Sequence, residues 1–132
     1  MYHMKRVMLK SKIHRPRLTG TEPEYEGSIT IDAALLHAAD MLPGEQVHVL
    51  NLNNGSRIVT YAIEAPANSG TVLLNGPAAR MGQVGDRVII LSYCELSDEE
   101  ARSFQPRVVL VDDQNTWRQN ENPAGQRLET KT

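Results

Sequence analysis

Residues 46–64, QVHVLNLNNGSRIVTYAIE, are the stretch of sequence that decides the fold. Two strand-like segments, 46–52 and 57–64, flank an Asn-Gly pair at residues 54–55, and this arrangement is the strongest short-range signal for a β-hairpin. Further segments with strand-like composition occur at residues 5–9, 28–31, 71–74, 86–94 and 107–111. Six or seven short strands in one chain predict a mainly β protein, with a small β-barrel as the expected architecture.

One segment has the pattern of an α-helix. Asp32 is a good N-cap residue, residues 33–39 have high helical propensity, and the Pro-Gly pair at 43–44 ends the segment. The apolar stripe of this helix is predicted to contain Leu35, Ala38, Ala39 and Leu42. Residues 97–100, Ser-Asp-Glu-Glu, resemble a capping box and predict a second short helix.

The composition of the 132 residues, 40% hydrophobic and 23% charged, is that of a globular domain. We expect residues 1–112 to form one β-barrel domain. Residues 113–132 are polar, with Trp117 and Leu128 as their sizeable apolar side chains, and are predicted to form a flexible tail because they bury too little surface to offset the entropy of ordering. No apolar stretch has the length of a membrane span and no signal peptide is visible, so we expect a cytoplasmic protein.

Composition and spacing argue against several kinds of binding site. The formal net charge is −2 and aromatic residues make up 5% of the chain, which does not favour nucleic-acid binding. Cys94 is the single cysteine, so it has no partner for an intrachain disulfide, and a buried packing role is expected. No metal site is predicted, because metal-ligand spacing is lacking among His3, His14, His37 and His48.

Taken singly, the polar residues of this chain have ordinary interpretations. The Gly27-Ser28 pair is typical of a loop entering a strand, and residues 25–28 lack the G-x-S-x-G pattern of a hydrolase nucleophile. Lys12 and Arg15 would be solvated surface charges, and Tyr61 would pack across a pair of strands. Only the joint pattern of several motifs favours a function.

Five motifs occur in a fixed order along the chain. They are residues 12–15 (Lys-Ile-His-Arg), 25–28 (Tyr-Glu-Gly-Ser), 54–63 (Asn-Gly-Ser-Arg-Ile-Val-Thr-Tyr-Ala-Ile), 75–79 (Asn-Gly-Pro-Ala-Ala) and 85–90 (Gly-Asp-Arg-Val-Ile-Ile). Together they closely resemble the bacterial aspartate α-decarboxylase family, and the similarity runs from about residue 4 to about residue 112. Each motif alone is weakly specific, but five in register over most of the chain are specific.

The resemblance implies a double-psi β-barrel that assembles as a homotetramer with active sites between subunits. It implies an enzyme that converts L-aspartate to β-alanine and CO₂ for pantothenate and coenzyme A biosynthesis. It also implies self-cleavage between Gly27 and Ser28, which would give a β chain of residues 1–27 and an α chain of residues 28–132. Some family members use an acetyltransferase-like maturation factor, and the sequence leaves open whether this chain needs one.

The implied cleavage chemistry suits the residue types. The Ser28 hydroxyl would attack the carbonyl of Gly27, where we expect a tight, strained backbone that benefits from having no Cβ. In the family, the threonine that matches Thr60 stabilises the oxyanion formed during processing. Elimination and hydrolysis then convert Ser28 into a covalent pyruvoyl cofactor, which forms a Schiff base with the substrate amine.

The resemblance also assigns residues to the substrate. Aspartate carries two carboxylates, which need cationic partners, and Arg57 and Lys12 are the candidates. Tyr61 matches the proposed proton donor of the family. A pocket-lining loop is implied for Asn75, Gly76 and Ala78, and a position near the cleavage point for His14 and Tyr25.

The chain departs from the family pattern at three positions. Pro77 and Arg80 replace a small residue and a histidine of the pocket loop, and Leu50 stands where some members carry tryptophan. Two alternatives therefore stay open beside an aspartate decarboxylase. One is a non-cleaving β-barrel that acts as a binding module, and the other is a pyruvoyl decarboxylase for another amino acid such as glutamate, since pocket size alone discriminates by about 1–3 kcal/mol.

Overall fold

A computed structural model describes residues 3–117, and this part of the chain forms eight β-strands, two α-helices and one 3₁₀ helix. The strands are β1 (Lys5–Arg17), β2 (Gly20–Glu22), β3 (Ser28–Asp32), β4 (Gln46–Asn51), β5 (Arg57–Ala65), β6 (Val72–Asn75), β7 (Arg87–Ser97) and β8 (Arg107–Leu110). The helices are α1 (Ala33–Ala39), the 3₁₀ helix (Gly76–Met81) and α2 (Asp98–Ser103). The mainly β prediction is therefore confirmed, although β1 extends eight residues past the expected end at residue 9.

The strands form one sheet in the order β2-β6-β3-β5-β4-β7-β1-β8. Both β1 and β3 lie between one antiparallel and one parallel neighbour, as expected for the double-psi arrangement. The chain passes from β1 into β2 through Leu18 and Thr19, whose amides donate to Asp86 O and Val72 O at 2.8 Å. Asp86 directly precedes β7 and Val72 begins β6. This one segment therefore bonds to both sides of the strand order, and the sheet curls into a barrel.

The predicted hairpin connects β4 and β5, which pair antiparallel with Val49 opposite Ile58. Alternation along β5 sends Ile58, Thr60 and Ala62 to the inner face and the residues between them to the outer face. The core lies inside the barrel, and its largest fully buried side chains are Ile13, Leu18, Ile29, Ile31, Leu35, Leu74 and Ile90.

The N-cap predicted at Asp32 is present and does more than begin α1. One carboxylate oxygen of Asp32 accepts from the amides of Ala34 and Asn68, and the other accepts from the amide of Gly70, each at 2.8 Å. Asp32 is only 2% exposed, so these three donors replace the water that its charge has lost. The loop before β6 is thereby fixed to the end of β3.

The apolar stripe predicted for α1 is wrong at Leu42, which is 67% exposed. The helix ends before Asp40, whose φ of 57° places it in the left-handed region, so the 3.6-residue period does not continue to position 42. Met41 turns inward instead and is 2% exposed. The capping box at Ser97 and Glu100 is present and begins α2 as predicted.

The described part of the expected tail, residues 113–117, makes contacts with the barrel. Asn115 is 2% exposed and its amide nitrogen donates to Arg17 O at 2.8 Å and to Gly70 O at 2.9 Å. Trp117 packs against the core and pairs with Val111 in an isolated bridge. Residues 113–117 therefore belong to the barrel, and the rest of the predicted tail lies outside the described residues. No helix among residues 3–117 has the length and apolar character needed to cross a bilayer.

Substitution of Asp32 tests how much its three hydrogen bonds, which join β3, α1 and the loop before β6, contribute to stability. Asp32→Ala leaves three backbone N–H groups without their acceptor and should lower the free energy of unfolding by about 2–4 kcal/mol. Urea denaturation at fixed protein concentration measures this loss. Glu64→Ala, at an exposed position on β5, is the control and should change stability by less than about 0.5 kcal/mol. Equal stability of the two variants would contradict the assigned role of Asp32.

Candidate functional site

Gly76 lies in direct contact with the backbone that precedes Ser28. A Cβ at position 76 would come within 2.6 Å of Gly27 N and 2.7 Å of Tyr25 O, distances that real Cβ atoms do not show. The φ of Gly76 is +61°, in the region that glycine adopts more readily than other residues. Two independent constraints therefore select glycine here, and they fix the path of the chain next to the candidate cleavage site.

Ser28 is fully buried at the start of β3, where it lies opposite Asn75 of β6. Its hydroxyl donates to Glu26 O at 3.0 Å. The amide nitrogen of Asn75 donates to Ser28 Oγ at 2.9 Å and to Thr30 Oγ1 at 2.8 Å. The Ser28 hydroxyl is thus held both as a donor and as an acceptor, and its position is set by the antiparallel pairing of β3 with β6.

The strained backbone expected at Gly27 is not observed there. The φ of Gly27 lies outside the positive region, and a Cβ would lie 3.4 Å from Pro77 Cδ, an ordinary van der Waals distance. The steric demand for glycine falls on Gly76 instead, because that residue makes the backbone-to-backbone contact. Pro77 is the second residue of the 3₁₀ helix and lies in its first turn, where a missing N–H is tolerated.

A cavity of about 460 Å³ opens beside the Gly27-Ser28 bond. Its wall consists of Gly27, Ile58, Val59, Thr60, Pro77, Ala78 and Met81. Thr60 brings a hydroxyl into this mostly apolar wall, and the pairing of Ile29 with Ala62 sets Thr60 level with Gly27. The cavity wall formed by the described residues holds no cationic side chain.

Tyr61 is connected to the same segment through Glu26. Its hydroxyl donates to Glu26 Oε1 at 3.4 Å. Partial removal of the ring from water raises the pKa of Tyr61, and the negative charge of Glu26 raises it further. A phenol with a raised pKa stays protonated at neutral pH, which is the state that a proton donor needs.

Arg57 lies four residues before Tyr61 on β5, about 13 Å along the strand. Its Nη2 donates to Tyr93 Oη and to His48 Nδ1, both at 3.2 Å. Lys12 lies on β1, opposite Leu91 of β7, and three strand spacings or about 14 Å separate β1 from β5. Within one chain, therefore, neither cation lines the cavity beside Gly27.

His14 also lies on β1, away from Ser28 of the same chain. It borders a second cavity of about 440 Å³ together with Arg15, Arg87, Leu110, Val111 and Asp113. Burial lowers the pKa of His14, and the positive charges of Lys12 and Arg15 lower it further, so the imidazole is neutral at pH 7. Among residues 3–117 its Nδ1 has no hydrogen-bond partner.

Sequence reasoning missed Glu26 and Thr30. Glu26 accepts from Ser28 with its backbone and from Tyr61 with its side chain, while Thr30 shares the Asn75 donor with Ser28. The position of Thr30 two residues after Ser28 on one strand face was the available signal. Arg80 is exposed and borders a different depression, beside Asn53 and Asp86.

The family model and the similar sequences agree on one family. The aspartate decarboxylase family model matches residues 4–118. The chain is 61% identical to aspartate 1-decarboxylase of Acaryochloris marina over 85% of this chain and 86% of that protein. It is 54% identical to aspartate 1-decarboxylase of Thermoanaerobacter pseudethanolicus over 85% of this chain and 96% of that protein. A rationally designed protein of known crystal structure superposes with a TM-score of 0.44 and 18% identity, covering 60% of this chain and 91% of the designed one.

Substitution of Gly76 tests the backbone contact at the site. Gly76→Ala should slow cleavage after Gly27 by about a hundredfold, because the new Cβ displaces the segment that holds Ser28. A time course of chain cleavage on denaturing gels measures the effect. Gly55→Ala is the matched control, since Gly55 also has a positive φ, +77°, but has no atom within 4 Å of an added Cβ. Cleavage of the Gly76→Ala chain at the control rate would refute the steric argument.

Proposed function

The chain belongs to the aspartate decarboxylase family, and from that premise we propose that it is a self-processing, pyruvoyl-dependent enzyme. It converts L-aspartate to β-alanine and CO₂, and β-alanine serves pantothenate synthesis. The observation that carries this proposal is the buried Ser28 hydroxyl, fixed from both sides beside Gly27 and next to a cavity large enough for an amino acid. The cytoplasmic location stays a prediction.

The residues around Ser28 suit the cleavage reaction. Ser28 Oγ forms a bond to the carbonyl carbon of Gly27 as the peptide C–N bond breaks, which turns the amide into an ester. Elimination then frees Gly27 as a carboxylate and leaves dehydroalanine at position 28, and hydrolysis releases ammonia to give the pyruvoyl group. Thr60, on the wall of the same cavity, is the donor proposed for the oxyanion of the first step.

The cavity also suits a pyruvoyl group at residue 28. Bound covalently, this group supplies an electron sink for the electron pair that remains when CO₂ departs. Ile58, Pro77 and Met81 line the wall and would give the reacting atoms an apolar surrounding. Asn75 donates to Ser28 Oγ before cleavage. That oxygen would depart with the Gly27 carboxylate, and the ketone oxygen of the pyruvoyl group would replace the backbone nitrogen of residue 28.

Tyr61 delivers the proton that replaces CO₂ on the substrate. A phenol is protonated at neutral pH, and the upward shift of the Tyr61 pKa does not change that state. Glu26 orients the hydroxyl through a 3.4 Å hydrogen bond and lies one residue before the end of the proposed β chain. The hydrogen bond between Tyr61 and Glu26 therefore joins the proposed proton donor to the end of the β chain that cleavage would produce.

A second copy of the chain supplies the cations that the cavity lacks. Aspartate has two carboxylates, and burying them beside an apolar wall needs cationic partners. Lys12 and Arg57 lie on the outer face of the barrel, where Val7 is 68% exposed and Val59 is 52% exposed. An apolar face of this kind is suited to packing against another subunit. These features support a homotetramer with each active site between two subunits.

Co-production of two inactive variants tests the shared site. Ser28→Ala chains keep Arg57 but cannot form the cofactor, whereas Arg57→Ala chains should cleave normally but bind aspartate poorly. A complete site needs Ser28 from an Arg57→Ala chain and Arg57 from a Ser28→Ala chain. Random assembly of equal amounts would place this combination at about a quarter of the interfaces, so the mixture should release β-alanine at about a quarter of the wild-type rate. Each variant alone, at the same total concentration and with its assembly checked by size, is the control.

Two outcomes would contradict different parts of the proposal. A mixture no more active than the two variants alone would mean that Arg57 serves the cavity of its own chain or does not bind substrate. Full aspartate decarboxylation by Ser28→Ala chains alone would remove the pyruvoyl mechanism.

A further inference from the structure

Arg57 is held by two neutral side chains from two other strands. Its Nη2 donates to His48 Nδ1 on β4 and to Tyr93 Oη on β7, both at 3.2 Å. The rings of His48 and Tyr93 also contact each other edge to face, with their centroids 4.9 Å apart. The three side chains therefore form one connected group on the outer face of the barrel, which we name the Arg57 cluster.

The strand register brings the members of the Arg57 cluster together. His48 of β4 lies opposite Val59 of β5 and opposite Leu91 of β7. Arg57 and Tyr93 are each two residues from those partners, on the same outer face. A long side chain reaches such diagonal neighbours across adjacent strands.

The chemistry of the two acceptors leaves the charge of Arg57 available. A carboxylate partner would neutralise the guanidinium and compete with a substrate carboxylate, but an imidazole and a phenol do neither. His48 accepts through Nδ1, which requires the neutral ring with its proton on Nε2. Among the described residues, Nε and Nη1 of Arg57 have no protein partner, so these donors stay free for an anion.

We propose that His48 and Tyr93 are positioning residues that aim the Arg57 guanidinium at a carboxylate of the substrate. The inference rests on the proposed function, in which Arg57 binds aspartate. A free arginine side chain samples many rotamers, and binding an anion must order it. Two hydrogen bonds to separate strands fix the guanidinium before the substrate binds. Substrate binding therefore costs less conformational entropy of the Arg57 side chain.

Steady-state kinetics of the assembled, cleaved enzyme with L-aspartate test this inference. Tyr93→Phe removes one hydroxyl and His48→Leu removes the ring acceptor, and each should raise KM about threefold to tenfold while kcat stays within about twofold. His48→Gln keeps an acceptor oxygen and should recover much of the loss. His37→Leu, at an exposed position on α1, is the matched control and should have wild-type kinetics.

A double-mutant comparison distinguishes positioning from general damage. In an Arg57→Ala background, Tyr93→Phe should have no further effect on KM, because the residue that it positions is gone. Unchanged KM in both Tyr93→Phe and His48→Leu, with a large KM increase in Arg57→Ala, would overturn this inference and leave the proposed function standing. Unchanged KM in Arg57→Ala itself would overturn the inference together with the assignment of Arg57 to the substrate.

Discussion

The close contact of Gly76 with the backbone of residues 25–27 is the constraint on which the candidate site depends. It brings the end of β6 within van der Waals distance of the chain that leads into β3, with a Cβ excluded by the 2.6 Å approach to Gly27 N. Asn75, one residue earlier, then reaches Ser28 Oγ and Thr30 Oγ1. Adjacent residues thus perform two tasks, since Gly76 fixes the backbone and Asn75 fixes the hydroxyl of Ser28, the proposed nucleophile.

The barrel separates the groups proposed to break bonds from the groups proposed to bind the substrate carboxylates. Ser28, Thr60 and Tyr61 gather at the junction of β3, β5 and β6, whereas Lys12 and Arg57 lie on the outer face of β1 and β5. An apolar cavity wall favours the loss of CO₂ by excluding water, but it does not hold a dianionic substrate by itself. The proposed assembly of several copies would resolve this conflict, because the outer face of one chain would complete the cavity of another.

Local signals predicted several elements correctly from the sequence. The Asn-Gly turn between β4 and β5, the Asp32 N-cap and the capping box before α2 depend on nearby residues, and all three are observed. The prediction failed at Leu42, where the left-handed conformation of Asp40 ends the helix early. It also failed at residue 113, because the polar side chain of Asn115 is buried by hydrogen bonds to distant segments.

The residues of the site could be recognised only as a joint pattern, and their geometry could not be predicted. The implied cleavage chemistry suggested strain at Gly27, but the contact that requires glycine is between Gly76 and a segment some fifty residues away. Glu26 and the Arg57 cluster were missed because their roles arise from strand register, which joins positions far apart in sequence. The separation of both cations from Ser28 likewise follows from strand order and not from any local motif.

The intact mass of the protein purified from its own cells, measured under denaturing conditions, tests the central claim most directly. The account predicts two fragments divided after Gly27, the larger lighter than a chain beginning with serine by one ammonia, about 17 Da. Native cells supply any maturation factor that processing needs. A single uncut chain of 14.7 kDa from that source would contradict a pyruvoyl enzyme.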